Sequence, residues 1–129
     1  MLPNSPSSPQ LRVLIVDGCE DNREVISTAL QMRGVSTFQA AEARQGVELA
    51  RQHHPQVIVL DLEAESADDE QICQEYETQS RDHQTSLVVL GRARHYEEKL
   101  PRDRIVSKPY HFAPLIRTIE RLLSTREAS

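Results

Sequence analysis

The sequence predicts an α/β fold, a five-stranded parallel sheet with helices on both faces. Two observations point there. Short apolar runs alternate with longer amphipathic stretches, which is the pattern of βαβ units. Three of those runs also end in charged residues: Leu11 to Val16 before Asp17, Val57 to Leu60 before Asp61, and Ile105-Val106 before Ser107-Lys108-Pro109. In an open parallel sheet the carboxyl ends of the strands line one crevice, so these side chains are expected to converge.

The chain has 129 residues, enough for one domain with its own core. Residues 11–125 are expected to form that domain, flanked by a Pro/Ser-rich tail over 1–10 and a short tail over 126–129. The first nine residues have neither a basic start nor an apolar stretch, so no signal peptide is expected. No apolar run exceeds four residues, which argues against a membrane span. The net charge of −5 argues against nucleic-acid binding, because phosphate contacts need clustered Lys and Arg. Two cysteines, Cys19 and Cys73, suit reduced thiols in a cytoplasmic protein.

Each element has a local signal. After the first strand, Asp21-Asn22-Arg23-Glu24 resembles a capping box. The helix it opens is expected to bury Val25, Ala29, Leu30 and Met32 and to stop at Gly34. Val35 to Gln39 reads as the second strand. Glu42 to His53 reads as a helix with Ala43, Val47 and Ala50 on one face, ended by Pro55. Gln56 to Leu60 is almost continuously apolar, as in a strand covered on both faces. Ser66 to Arg81 is a weaker helix anchored by Ile72, Cys73 and Tyr76, and Ser86 to Leu90 is the fourth strand. The charged stretch from Arg92 to Arg102 carries Pro101 and predicts a shortened or irregular segment. Arg104 to Ser107 is the fifth strand. The closing helix, Phe112 to Ser124, shows an apolar stripe of Phe112, Leu115, Ile116, Ile119, Leu122 and Leu123.

Carboxylates at adjacent strand ends repel unless a cation lies among them, and an oxygen-seeking divalent metal such as Mg²⁺ is a common solution. One carboxylate can then attack a phosphoryl donor while metal and ammonium neutralise the transferred charge. With Leu14-Ile15-Val16-Asp17, Ile58-Val59-Leu60-Asp61-Leu62 and Val106-Ser107-Lys108-Pro109-Tyr110 in this order, residues 11 to about 124 resemble the receiver domain of bacterial response regulators. The resemblance implies a flavodoxin-like sheet in the order 2-1-3-4-5. It implies a phosphoacceptor at Asp61, a cationic partner at Lys108, and the first residue of an acidic pair at Asp17. It also implies a cis peptide at Lys108-Pro109, a part in two-component phosphorelay signalling rather than enzymatic turnover, and a histidine kinase or other signalling protein as partner.

The departures from that family are equally specific. Gly18 stands where a second acidic residue supplies a metal ligand, and Gly91 where the fourth strand ends in Ser or Thr, followed by Arg92 in place of a small residue. Ala64-Glu65 replaces a Met-Pro pair, Asp68-Asp69 an Asp-Gly, and Ile105 the aromatic switch. Between Gly91 and Lys108 the chain is about five residues shorter than usual. A metal site built from Asp17, Asp61 and Glu63 is therefore expected to bind Mg²⁺ weakly or not at all, with Glu20 a second carboxylate near enough in sequence to compensate. Two readings follow. One is an atypical receiver acting by protein contacts with phosphorylation impaired or absent. The other is a single-domain response regulator phosphorylated on Asp61. Cys19 reads as a bystander thiol beside acidic groups. His53, His54, His83, His95 and His111 lack metal-ligand spacing. The acidic residues from Glu63 to Glu77 read as a solvated face.

Overall fold

In the computed structural model, backbone is described for residues 10–82 and 84–128, and side chains up to residue 124. The expected tail over 1–10, apart from Gln10, and His83 lie outside the described residues. Five parallel strands make one sheet in the order β2-β1-β3-β4-β5. They are β1 Arg12–Val16, β2 Ser36–Ala40, β3 Val57–Asp61, β4 Ser86–Leu90 and β5 Ile105–Val106. Five helices connect and cover them: α1 Glu20–Gln31, α2 Ala43–His53, α3 Glu70–Asp82, the single turn α4 Arg94–Glu97, and α5 Phe112–Ala128.

Strand alternation divides the core in two. Val13, Ile15, Val57, Val59, Val88 and Leu90 face α1 and α5, meeting Ile26, Leu30, Leu115 and Ile119. Leu14, Val16, Ile58, Leu60, Leu87 and Val89 face α2, α3 and α4, meeting Val47, Ala50, Ile72 and Tyr76. Every residue of β3 and β4 is buried, as the unbroken apolar runs require of strands covered on both sides. In-register pairing of Val16 with Leu60, and of Asp61 with Leu90, brings the strand ends level.

Local signals were weaker for the helices. α1 starts at Glu20, with Cys19 at its N-cap and no side-chain cap, so the Asp21–Glu24 capping box does not form. The first helical bond instead runs from Arg23 N–H to Cys19 O. The core face is formed by Ile26, Ser27 and Leu30, while Val25 is 45% and Met32 82% exposed. α3 starts at Glu70 rather than Ser66. Ser66 has φ +70°, which breaks helical continuity, and Asp69 Oδ1 accepts the Gln71 and Ile72 N–H groups as an N-cap. The charged stretch after Gly91 holds only the turn of α4 and a 3-10 turn over Arg102–Arg104. Fully buried Tyr96 anchors it, and Glu77 of α3 pairs with both His95 and Lys99 at 2.8 Å.

α2 and α3 touch through one unusually close contact. The Tyr76 hydroxyl, completely buried, donates to Ala43 O at 2.7 Å and lies over Gly46. A Cβ on Gly46 would fall 2.3 Å from that hydroxyl oxygen and 2.7 Å from Val16 Cγ2. On an exposed helix, Gly→Ala stabilises by ~1 kcal/mol; here overpacking outweighs that gain. Gly46→Ala should destabilise the fold by about 1–3 kcal/mol in a urea titration. A stabilised variant would show that Tyr76 does not need this space.

Candidate functional site

The site grows from two strand ends with the same local geometry. At the end of β1, Asp17 Oδ1 accepts the N–H of Cys19 at 2.8 Å; at the end of β3, Asp61 Oδ1 accepts the N–H of Glu63 at 3.1 Å. Both are Asx turns, in which a short carboxylate caps the chain two residues on as it leaves the sheet. The two aspartates are 1% and 5% exposed. Asn22, in the first turn of α1, approaches Asp17 Oδ2 at 3.5 Å.

Lys108 closes the site from the loop after β5, through a cis peptide bond to Pro109. Its ammonium donates to Asp61 Oδ1 and to Glu63 Oε2, each at 2.5 Å. Burial pulls the Lys108 pKa down, but the hydrogen bonds and charges of Asp61 and Glu63 outweigh it and leave it raised above 10.5. Asp17 moves the other way from a contented carboxylate. Burial raises its pKa above 3.8, the Cys19 N–H lowers it, and the charge of nearby Asp61 raises it again. Tyr110, beyond the cis proline, has its hydroxyl buried with no hydrogen-bond partner among the described residues. Burial, then the negative charges of Asp17 and Asp61, push that phenol up to about 12.

The structure thus brings Asp17, Asp61, Glu63 and Lys108 to one edge, with Lys108 on Asp61 and Glu63 rather than on Asp17. Glu20 is exposed, in the first turn of α1. Asn22 and Tyr110 were not singled out from sequence as site residues; only the loop geometry after β1 and the turn at Pro109 bring them in. Among the described residues, no cluster of three or more His, Cys, Asp or Glu side chains is placed to hold a metal ion. The donor set fits Mg²⁺ poorly for a visible reason. Asp17 and Asp61 are the two carboxylates held at the strand ends, exposed Gly18 offers none, and Glu63 Oε2 turns to the Lys108 ammonium. At the end of β4, Gly91 has φ +115°, a conformation that disfavours any residue with a side chain, and its Cβ position faces Leu62 at 3.5 Å. The missing hydroxyl is therefore built into the backbone there.

Residues 13–120 match the response regulator receiver domain, and the chain belongs to that family. Receiver domains are signalling modules of two-component systems that interact with histidine kinases and typically bind Mg²⁺ at their phosphorylation site. The DNA-binding dual master transcriptional regulator RpaA of Synechocystis sp. is 26% identical over 117 residues, covering 87% of this chain and 48% of that protein. The probable transcriptional regulator ycf27 of Cyanophora paradoxa is 29% identical over 118 residues, covering 90% of this chain and 49% of that protein. The chain thus spans about half the length of these relatives. Among solved structures, the chemotaxis response regulator CheY4 of Vibrio cholerae superposes with a TM-score of 0.70 at 23% identity, covering 89% of this chain and all of that one. A CheY-like receiver domain protein from Methanospirillum hungatei gives a TM-score of 0.73 at 17% identity, covering 93% and 98%. These likenesses show the fold. No helix among the described residues is long and apolar enough to cross a membrane.

The raised Asp17 pKa carries a sign that can be checked. A carboxyl whose folded pKa exceeds its unfolded value contributes stability below pH 3.8 that is lost as pH rises through the folded value. Asp17→Asn keeps the acceptor for Cys19 N–H and removes that charge. It should be more stable than the parent at pH 7, with the gap closing below pH 3.8 in parallel denaturant titrations. An Asn variant less stable at pH 7 would mean that the Asp17 charge is used by the fold.

Proposed function

We propose that this receiver is a non-catalytic signalling module that works through protein contacts, with phosphorylation of Asp61 impaired or absent. The Lys108 bridge between Asp61 and Glu63 supports this most directly. In a site that must accept a phosphoryl group, the ammonium serves the incoming charge; here two resident carboxylates already occupy it. Gly18 removes one oxygen donor for a metal that relies on few protein carboxylates, and Gly91 removes the hydroxyl that would bond the phosphoryl oxygens. Two free thiols, one exposed and one buried, suit a cytoplasmic setting. Signalling would pass to a kinase or another protein of the pathway, or to a further part of a longer chain.

One observation favours the other reading, a response regulator phosphorylated on Asp61. Asp61 stands at the end of β3 with the Lys108 ammonium donating to its Oδ1, an acidic nucleophile beside a cation. Incubation with a small phosphodonor and Mg²⁺, followed by intact-mass measurement, separates the two. The proposal expects no phosphoryl adduct; an adduct absent from Asp61→Ala would establish the alternative. A gain-of-function variant tests the cause. The Cβ position of Gly18 meets nothing closer than Ala41 O at 3.8 Å, so an aspartate fits there. Calorimetry should find millimolar Mg²⁺ binding in Gly18→Asp that the parent lacks. Equal binding by both proteins would show that Gly18 is not what weakens the site.

A further inference from the structure

The carboxyl edge of the sheet holds a second concavity beside the Asp61 site. A cleft of 480 Å³ opens between the ends of β4 and β5 and the turn of α4, lined by Arg92, Glu97, Arg102, Ile105 and Ser107. That volume lies within the range of small-molecule sites. Strand register builds it. Leu90 pairs with Val106, and Gly91 N–H donates to Val106 O at 2.8 Å, so the chain leaves β4 level with Ser107. Ser107 follows β5 directly and lines the cleft together with Ile105. Ile105 packs toward α2, α3 and α4, whereas Val106 joins the opposite layer, so the cleft opens on the face where the helical segment is short.

Its charge is unbalanced. Arg92 donates through Nε at 2.8 Å and Nη2 at 2.5 Å to one oxygen of Glu97, and the two side chains are 69% and 33% exposed. An exposed pair of this kind is held weakly. Arg102 has no carboxylate within ion-pair distance among the described residues. Two guanidinium forks and a hydroxyl thus face one carboxylate. Planar guanidinium groups bind phosphate oxygens two at a time, more strongly than a single monodentate carboxylate contact.

We propose that this cleft binds a small phosphate-bearing anion, which displaces Glu97 from Arg92 and is held by Arg92, Arg102 and the Ser107 hydroxyl. Glu97 acts as the internal stand-in for the ligand. An extended acidic chain suits the place less well, because exposed Glu98 and Asp103 flank it along the same segment. Binding requires neither a metal nor phosphorylation of Asp61, and the proposal stands whichever reading of Asp61 holds.

The test is calorimetric titration with inorganic pyrophosphate in metal-free buffer, where the Asp61 site has no Mg²⁺ to use. One molecule should bind at submillimolar concentration, and Arg92→Ala and Arg102→Ala should each weaken it by about tenfold. Glu97→Gln should tighten it several-fold by removing the competing charge. All of these side chains are exposed, and circular dichroism verifies that each variant folds. No saturation at millimolar pyrophosphate overturns the proposal. So does binding indifferent to Arg102 or weakened by Glu97→Gln.

Discussion

Parallel in-register pairing of β1 with β3 sets two nearly buried aspartates side by side, and the architecture of the site answers that constraint. Like charges in a poorly solvated edge cannot both be comfortable. Asp17 carries the cost, visible as a carboxyl pushed upward by burial and by Asp61. Asp61 is relieved by Lys108, which must cross from the end of β5 to reach it. The loop through the cis Lys108-Pro109 bond, the Asx turns after both aspartates, and the burial of Tyr110 all follow from holding these groups at one edge.

Gly18 offers no carboxylate beside Asp17, and the single Lys108 ammonium is shared between Asp61 and Glu63. The substitution at Gly91 points the same way by a different route. Its left-handed backbone and the nearby Leu62 side chain make a simple return of Ser or Thr strained. The chain's exit from β4 at Gly91 also places Arg92 in the cleft beside β5.

The shortened segment after β4 shows how little chain is needed to cover one sheet face. One turn of helix suffices because Tyr96 fills the core and Glu77 of α3 holds both His95 and Lys99. A full helix would cover more of the α3 side. Its absence exposes the carboxyl edge of β5, where basic and hydroxyl groups gather.

Much of this was legible in the sequence by itself. The apolar runs of β3 and β4 specify strands buried on both faces, because no amphipathic alternative accommodates four consecutive branched residues. The strand-end positions of Asp17, Asp61 and Lys108 locate the site, and the glycines beside them mark what it lacks. Tertiary structure alone decided the rest. α1 takes Cys19 as its N-cap, two residues before Asp21 of its apparent capping box, where the chain turns at Asp17 on leaving β1. Gly46 beneath Tyr76 depends on two helices meeting, which no local pattern records. The choice of Lys108 between Asp17 and the Asp61–Glu63 pair, and the gathering of Arg92, Arg102 and Ser107, depend on the distance between strand ends. Periodicity reports which face a residue occupies; only the packed sheet reports which charges must share it.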